Sequence, residues 1–305
     1  MFKGSIPALI TPFKNGEIDW AAFDNLVEWQ IAQGSHGLVP CGTTGESPTL
    51  SHDEHKSLVK RCVEIAAKRV PVIAGTGSNS TREAIELTED AQNAGADAAL
   101  IVTPYYNKPT QAGLYAHYRT IAETTSLPII IYNIPGRCII DMSVETMAKL
   151  AAIKNIVGVK DATNDLARPL ETRLAINDDF CQLSGEDATV AAFLAQGGHG
   201  CISVVANIAP AECAQMYNAW VQKDIERFYQ LRDRLAPLSK ALFVESSPAP
   251  VKFAASVLGL SSEDVRMPLL PASEAARKAV LKAMDHAAIS YDAASLKGGA
   301  IAQAV

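Results

Sequence analysis

One lysine of this sequence ends an apolar run, where a charged side chain is unexpected. Lys160 closes residues 156–160, and the residues before it in that run are apolar or glycine. An amine in such water-poor surroundings is driven toward its neutral form, because burial penalises the ammonium charge. A neutral amine can attack a carbonyl and form a Schiff base, which then acts as an electron sink. From the spacing alone, Lys160 could also be an ordinary lysine at the end of a strand, with its side chain in solvent.

Hydroxyl side chains near the ends of other apolar runs could move protons for such an amine. Tyr132 ends one run, while Thr43 and Tyr106 stand shortly after two others. A single buried tyrosine is more often structural, but three hydroxyls beside one amine could form a proton relay. Arg137 follows the same run as Tyr132, and its planar guanidinium suits a carboxylate. An ordinary loop arginine is the alternative at that position.

Two polar segments are candidates for binding small ions. Thr43-Thr44 lies between two glycines, so backbone N–H groups and hydroxyls can approach a small anion closely. His52 and His55 are three residues apart, which alone is a weak zinc signal without a third ligand at helical spacing. We expect no metal here, because Ser51-His52-Asp53-Glu54 is typical of a capping box that opens a solvated helix.

Eight short apolar runs must position these side chains. They cover residues 6–10, 37–40, 70–74, 98–102, 128–132, 156–160, 180–184 and 200–204, each followed by a stretch of helical period. Runs that are apolar at nearly every position are typical of parallel strands covered on both sides. Eight such repeats predict a closed (β/α)8 barrel, a TIM barrel, whose chemistry lies at the carboxyl ends of the strands.

An open nucleotide-binding sheet is the less favoured α/β alternative. Its phosphate loop would carry three glycines, but Gly75-Thr76-Gly77-Ser78-Asn79-Ser80 lacks the third. The sequence also contains no P-loop lysine motif. We therefore expect no nucleotide or other cofactor.

After residue 223 the apolar runs stop and only helical patterns remain. Apolar residues recur at spacings of three and four along one face: Val221, Ile225, Phe228, Leu231, Leu235, Leu238 and Leu242. Pro248 and Pro250 interrupt the pattern, and residues 251–258 and 274–288 are predicted as further helices. The predicted domains are a catalytic barrel at 1–223 and a small all-helical C-terminal domain at 224–305.

Composition excludes several classes of protein. A chain of 305 residues with 48% hydrophobic residues can bury a large core without disulfides. Its 27 Lys and Arg against 33 Asp and Glu give a net charge of −6, so we expect no nucleic-acid or anionic-membrane partner. No apolar stretch is long enough to span a membrane, and no apolar secretory segment follows Met1. The six cysteines are predicted to be reduced, mostly buried thiols of a cytoplasmic protein.

The chain resembles the dihydrodipicolinate synthase family of pyruvate-dependent class I aldolases over essentially its whole length. The resemblance rests on six segments: Gly42-Thr43-Thr44-Gly45-Glu46, Tyr132-Asn133-Ile134-Pro135-Gly136-Arg137, Gly158-Val159-Lys160-Asp161, Ser184-Gly185-Glu186-Asp187-Ala188, Gly197-Gly198-His199-Gly200-Cys201-Ile202-Ser203 and Glu245-Ser246-Ser247-Pro248-Ala249-Pro250-Val251-Lys252. It implies condensation of pyruvate with L-aspartate 4-semialdehyde, in the diaminopimelate route of lysine biosynthesis. It also implies a homotetramer made of two tight dimers.

The resemblance assigns roles to the residues above. The implied catalytic residues are Lys160, Tyr132, Thr43 and Tyr106. The implied substrate-binding residues are Thr44, Arg137, Gly185 and Ile202. Lys160 would take pyruvate as a Schiff base, and Tyr106 would reach the proton relay across a dimer interface. Arg137 would receive the carboxylate of the semialdehyde.

A feedback site for L-lysine is also implied by the resemblance. Its residues are Pro48, His52, His55, Gly77, Asn79, Glu83 and Tyr105. His52 and His55 are then interpreted as part of an inhibitor site at an interface with a partner chain, and not as metal ligands. Cys138-Ile139-Ile140 departs from the small polar residue expected after Arg137, which leaves the detail of the semialdehyde pocket open.

Two other functions compete with this prediction. N-acetylneuraminate lyase or a keto-deoxy-sugar-acid aldolase would share Lys160 and Tyr132, but a sugar pocket would favour hydroxyl partners where Arg137 stands. A non-catalytic ligand sensor on the same barrel would be marked by loss of the lysine or the relay tyrosines, and these residues are present.

Overall fold

A parallel sheet curls into a barrel in this computed structural model, which describes residues 1–176 and 178–291. The described strands are β1 (Gly4–Pro7), β2 (Phe13–Lys14), β3 (Glu17–Ile18), β4 (Ile73–Gly75), β5 (Ala98–Val102), β6 (Ile129–Asn133), β7 (Ile156–Asp161), β8 (Cys181–Ser184) and β9 (Gly200–Ser203). Seven of them form the sheet in the order β1-β9-β8-β7-β6-β5-β4, and every neighbouring pair is parallel. The remaining two, β2 and β3, form a short antiparallel hairpin that the apolar pattern does not predict.

The predicted second strand, at residues 37–40, is reduced to two single-residue bridges. Val39 bridges Ala8 on one side, and Leu38 bridges Val72 on the other. The segment ends at Pro40, which has no N–H for a longer ladder. The bridges nevertheless join the two edges of the sheet, so the predicted (β/α)8 barrel is confirmed.

Helices alternate with the strands and then continue alone. They are α1 (Trp20–Ala32), α2 (His52–Ala66), α3 (Thr81–Ala94), α4 (Gln111–Thr124), α5 (Pro135–Cys138), α6 (Val144–Ala151), α7 (Arg168–Ala175), α8 (Val190–Ala195), α9 (Pro210–Gln222), α10 (Ile225–Ala241), α11 (Ala249–Val257) and α12 (Glu274–His286). Asp19 caps α1, and Ser51 with Glu54 forms the predicted capping box of α2. Such side chains satisfy the free N–H groups of the first turn, which is why these local signals locate helix starts.

Apolar side chains form two layers around the sheet. Inside the barrel, residues such as Ile6, Val39, Leu183 and Ile202 pack together with Tyr132. A second, larger cluster fills the space between the strands and the surrounding helices. The barrel is therefore a packed core that holds the carboxyl ends of its strands rigidly in register.

The C-terminal helices correct one detail of the predicted apolar face. Lys223 adopts the left-handed conformation and ends α9, so the face does not continue through one helix. Val221 and Ile225 are consequently 59% and 41% exposed. The other residues of that face, from Phe228 onward, are buried, and α10 packs on α9 and α12. The domain boundary at 223 stays a prediction, and residues 292–305 of the predicted C-terminal domain lie outside the described residues.

Within residues 1–176 and 178–291, none of the helices is both long enough and apolar enough to cross a membrane.

Replacing Gly158 by alanine is predicted to strain the sheet. The new Cβ would lie 2.5 Å from the carbonyl oxygen of Cys181 on β8, and backbone cannot yield easily. We expect Gly158→Ala to lower the free energy of unfolding by about 1–3 kcal/mol, as overpacked sites do. Urea denaturation beside Gly136→Ala, whose Cβ would meet nothing within 4 Å, provides the comparison. Equal midpoints for the two variants would contradict this account of the sheet.

Candidate active site

Lys160 lies near the carboxyl end of β7 and is 6% exposed. It pairs in register with Tyr132 of the neighbouring strand β6. The Lys160 Nζ atom lies 4.1 Å from the centroid of the Tyr132 ring. The amine and the phenol selected from the sequence are therefore neighbours, and the ring covers one side of the amine.

Gly185 leaves room for this amine. A Cβ atom on Gly185 would lie 3.1 Å from Cε of Lys160 and 2.7 Å from Cβ of Ala162. The Gly185 N–H donates to the carbonyl of Asp161 at 2.6 Å, which holds the loop after β8 against the end of β7. A side chain at this position would displace the lysine or separate the two strands.

Ile202 and Thr44, two further predicted substrate-binding residues, are almost fully buried. Ile202 lies on β9 and is 1% exposed, in the apolar cluster inside the barrel that also includes Tyr132. Thr44 is 4% exposed in the glycine-flanked loop after the bridged segment. In the same loop, the Glu46 N–H donates to the carbonyl of Thr43 at 3.1 Å. The loop is thus a fixed turn next to the barrel.

Three carboxyl groups lie at or just after the ends of β7 and β8. Asp161 follows Lys160, and burial raises the pKa of its carboxyl, against two hydrogen bonds from Thr163 at 2.8 Å and 2.7 Å. Burial also raises the pKa of Glu186 and of Asp187, and the positive charge of Lys160 opposes the rise in both. Groups with raised pKa values beside a buried amine are typical of sites that transfer protons.

Arg168 links the ends of two barrel strands, and the sequence patterns did not identify it. Its guanidinium pairs with Asp141 at 2.8 Å and lies 3.9 Å from a carboxylate oxygen of Asp161. Asn133, the last residue of β6, donates to the same Asp141 at 2.7 Å. Because Asp141, its nearer carboxylate partner in space, is 27 residues away along the chain, no motif around Arg168 could have revealed this role.

One cavity of about 480 Å³ lies beside these strands. It is lined by Thr43, Ser47, Pro48, Leu50, His52, His55, Gly77, Glu83, Leu87, Val102, Tyr105, Ile134, Arg137 and Cys138. The predicted catalytic residue Thr43 and the predicted substrate-binding residue Arg137 therefore share a cavity with His55 and Glu83 of the predicted effector site. The lining does not include Lys160 or Tyr132, although both belong to the described residues. The apolar lining residues, such as Leu50 and Leu87, carried no sequence signal beyond core periodicity.

Hydrogen bonds fix three of the predicted effector residues, His52, His55 and Glu83. His52 Nε2 lies 2.9 Å from Glu83 Oε1, and the Ser78 hydroxyl donates to the other oxygen of Glu83. His55 Nε2 lies 2.7 Å from the carbonyl of Gly75, and because a carbonyl only accepts, this nitrogen carries the proton. Burial lowers the pKa of His55. Its Nδ1 is then a buried acceptor without a partner in the described structure.

Two predicted site residues do not join these groups. Tyr106 is 89% exposed and has a φ of 71°, so its phenol projects from the barrel rim. Asn79 does not line the cavity, but its carbonyl accepts from the Asn107 amide at 2.8 Å. The described residues contain no cluster of three or more His, Cys, Asp or Glu side chains that could hold a metal.

All six cysteines are buried and free, as the sequence predicted. Burial raises the pKa of Cys138, which lines the cavity, and raises that of Cys181 to about 12. It raises the pKa of Cys201, which packs in the larger cluster between the strands and the helices, well above the usual range. These thiols are therefore protonated at neutral pH.

The profile of the dihydrodipicolinate synthetase family matches residues 1–287 of this sequence. The chain belongs to that family. The resemblance based on the motifs is thereby confirmed, and membership makes the chain an enzyme.

Relatives of this family member are similar over nearly their full length. The 4-hydroxy-tetrahydrodipicolinate synthase of Rhodospirillum centenum is 65% identical, over 93% of this chain and 98% of that protein. A chloride-inhibited dihydrodipicolinate synthase from Acinetobacter baumannii, solved in complex with pyruvate, has a TM-score of 0.93 and 47% identity, over 95% of this chain and 100% of that one. The Cyanidioschyzon merolae synthase, solved with lysine bound, has a TM-score of 0.92 and 39% identity, over 95% of this chain and 99% of that one.

Proposed function

We propose that this chain is a 4-hydroxy-tetrahydrodipicolinate synthase of the diaminopimelate route of lysine biosynthesis, acting in the cytoplasm. It condenses pyruvate with L-aspartate 4-semialdehyde. The observation that carries the proposal is the buried Lys160 amine, 4.1 Å from the Tyr132 ring at the carboxyl ends of two barrel strands. The relatives named as this synthase support the same assignment.

The reaction begins at the Lys160 amine. Its nitrogen attacks the keto carbon of pyruvate, and loss of water leaves an imine. Loss of a methyl proton then gives an enamine, whose carbon attacks the aldehyde carbon of the second substrate. The amino group of the product displaces Lys160 from the imine carbon and closes the ring, which frees the enzyme. The chemistry needs no metal and no organic cofactor.

Proton transfers in these steps fall to the hydroxyls of Tyr132, Thr43 and Tyr106. The amine lies 4.1 Å from the centroid of the Tyr132 ring, and Thr43 lines the neighbouring cavity. Tyr106, which is 89% exposed, would complete the relay of a second copy. The exposed phenol supports a dimer in which each chain lends this tyrosine to its partner. A homotetramer of two such dimers is the assembly that we propose.

Thr44, Gly185 and Ile202 would surround bound pyruvate, as the fit of Gly185 against the Lys160 side chain supports. Arg137 would bind the carboxylate of the semialdehyde through two parallel hydrogen bonds. Its position on the cavity wall favours this substrate over a sugar acid, whose hydroxyls would need neutral partners. The presence of Lys160 beside Tyr132 favours an enzyme over a non-catalytic sensor.

L-lysine is the effector that we propose for the other part of the cavity. An ammonium group could donate to the unpartnered Nδ1 of His55 and pair with Glu83. Pro48, His52, Gly77 and Tyr105 also line the cavity, and Asn79 lies nearby in sequence. The related synthase solved with lysine bound supports this ligand. Tyr105 directly precedes Tyr106 in the chain, so a ligand that contacts Tyr105 could shift the position of Tyr106.

Lys160 should form the imine with pyruvate. Borohydride reduction in the presence of pyruvate should add a pyruvate-derived mass to the peptide that contains Lys160. Lys160→Arg should lose at least about a hundredfold in turnover, because a guanidinium stays protonated and cannot form the imine. Lys149→Arg, at an exposed position of α6, is the control and should keep its activity. An adduct on another lysine would refute the mechanism.

Arg137 should recognise the semialdehyde and not pyruvate. Arg137→Ala should raise KM for the semialdehyde more than about tenfold, since a charge-assisted contact contributes about 1.5–3 kcal/mol. KM for pyruvate should change less than about twofold. Arg82→Ala is a matched control, because that side chain is 89% exposed on α3. Equal increases in both KM values would disprove the assignment.

L-lysine should inhibit turnover by binding near Glu83. Glu83→Ala should raise the half-inhibitory lysine concentration more than about tenfold, because the ligand loses a partner for its ammonium group. Glu86→Ala, on the same helix with a 56% exposed side chain, is the control. If excess pyruvate abolished the inhibition, we would conclude that L-lysine binds at the active site instead. Unchanged inhibition of Glu83→Ala would remove this pocket from the proposal.

A further inference from the structure

A fully buried ion pair joins the C-terminal helices to the loop that carries Thr43. Lys252 Nζ on α11 lies 2.5 Å from Glu46 Oε1, and the side chains are 0% and 1% exposed. The two residues are far apart along the chain, and each closes one of the segments on which the family resemblance rests. The pair is therefore a long-range link between the helical C-terminal part and the barrel.

The Lys252 amine and the second carboxylate oxygen of Glu46 have additional partners. Lys252 also donates to the carbonyl of Asp264 at 2.6 Å, and its Nζ lies 4.0 Å from the centroid of the Phe13 ring. The second oxygen of Glu46 accepts from the N–H of Arg266 at 2.9 Å. Such saturation fixes the Glu46 carboxylate in one place.

The backbone of Glu46 passes this restraint to Thr43. Glu46 has a φ of 56°, the left-handed conformation that a residue with a side chain rarely adopts. In this conformation its N–H donates to the carbonyl of Thr43 at 3.1 Å. Anchoring the Glu46 side chain thus holds the turn that determines where the Thr43 hydroxyl lies at the cavity.

Buried ion pairs seldom add stability compared with apolar residues of similar size, because desolvation offsets the attraction. A role in specifying one geometry explains the pair better. We propose that Lys252, acting through Glu46, is a positioning residue that sets the Thr43 hydroxyl for proton transfer. This inference rests on the proposed function. It predicts that loss of the pair slows turnover but leaves pyruvate on Lys160.

The test replaces both charges together, so that no unpaired charge remains buried. Glu46→Gln/Lys252→Met should keep KM for pyruvate within about twofold, and borohydride should trap pyruvate on Lys160 to the wild-type extent. Its kcat should fall about ten- to a hundredfold, as expected for a misplaced reacting group. Arg277→Met is the control, because it removes another C-terminal ion pair, to Glu263 at 2.8 Å, and should keep kcat.

A second measurement separates positioning from general damage to the fold. In a Thr43→Val background there is no hydroxyl to position, so the same pair substitution should lower kcat less than about twofold. Equal losses in both backgrounds, or a wild-type kcat for Glu46→Gln/Lys252→Met, would overturn the inference. Loss of pyruvate trapping in the pair variant would also overturn it. A wild-type chain without trapping or turnover would instead refute the proposed function, and the inference with it.

Discussion

Close contact between strands β7 and β8 is the constraint on which the candidate site depends. Gly158 lets the backbone of β7 approach Cys181, and Gly185 lets the following loop approach Lys160. Parallel strands in register then set the lysine opposite Tyr132. A site built on strand ends inherits the rigidity of the barrel core, so two side chains can be held in contact without a dedicated loop. The two glycines are therefore as necessary to the site as its polar groups, because neither has a Cβ atom.

The C-terminal helices contribute to the same site from outside the barrel. Lys252 reaches Glu46 beside the loop with Thr43, while the Arg266 guanidinium pairs with Glu54 in the first turn of α2. The next residues of that helix include His55, which lines the cavity. The C-terminal part thus contacts both the loop that carries Thr43 and the helix that carries His52 and His55. A change in the packing of the C-terminal part would therefore affect both that loop and α2.

The sequence predicted those parts of the molecule that depend on local patterns. Apolar runs identified seven strands of the sheet, and Ser51 identified a helix start through its own first turn. The segment at 37–40 was less regular than predicted, because bridges on both sides replace a ladder. Arg168 escaped prediction because its carboxylate partners come from other segments, and contacts across the fold leave no periodic trace. Lys160 and Tyr132 were identified because each ends an apolar run.

The proposed substrates carry aldehyde and keto groups, with which a cysteine thiol at the cavity could react. A thiolate adds readily to such carbonyl carbons, whereas a protonated thiol is a poor nucleophile. Cys138 lines the cavity, and burial raises the pKa of its thiol. Hemithioacetal formation at Cys138, which would trap the proposed semialdehyde substrate in a dead end, is thereby suppressed. In the proposed reaction the nucleophile is then nitrogen and not sulfur, because the thiol at the cavity wall stays protonated.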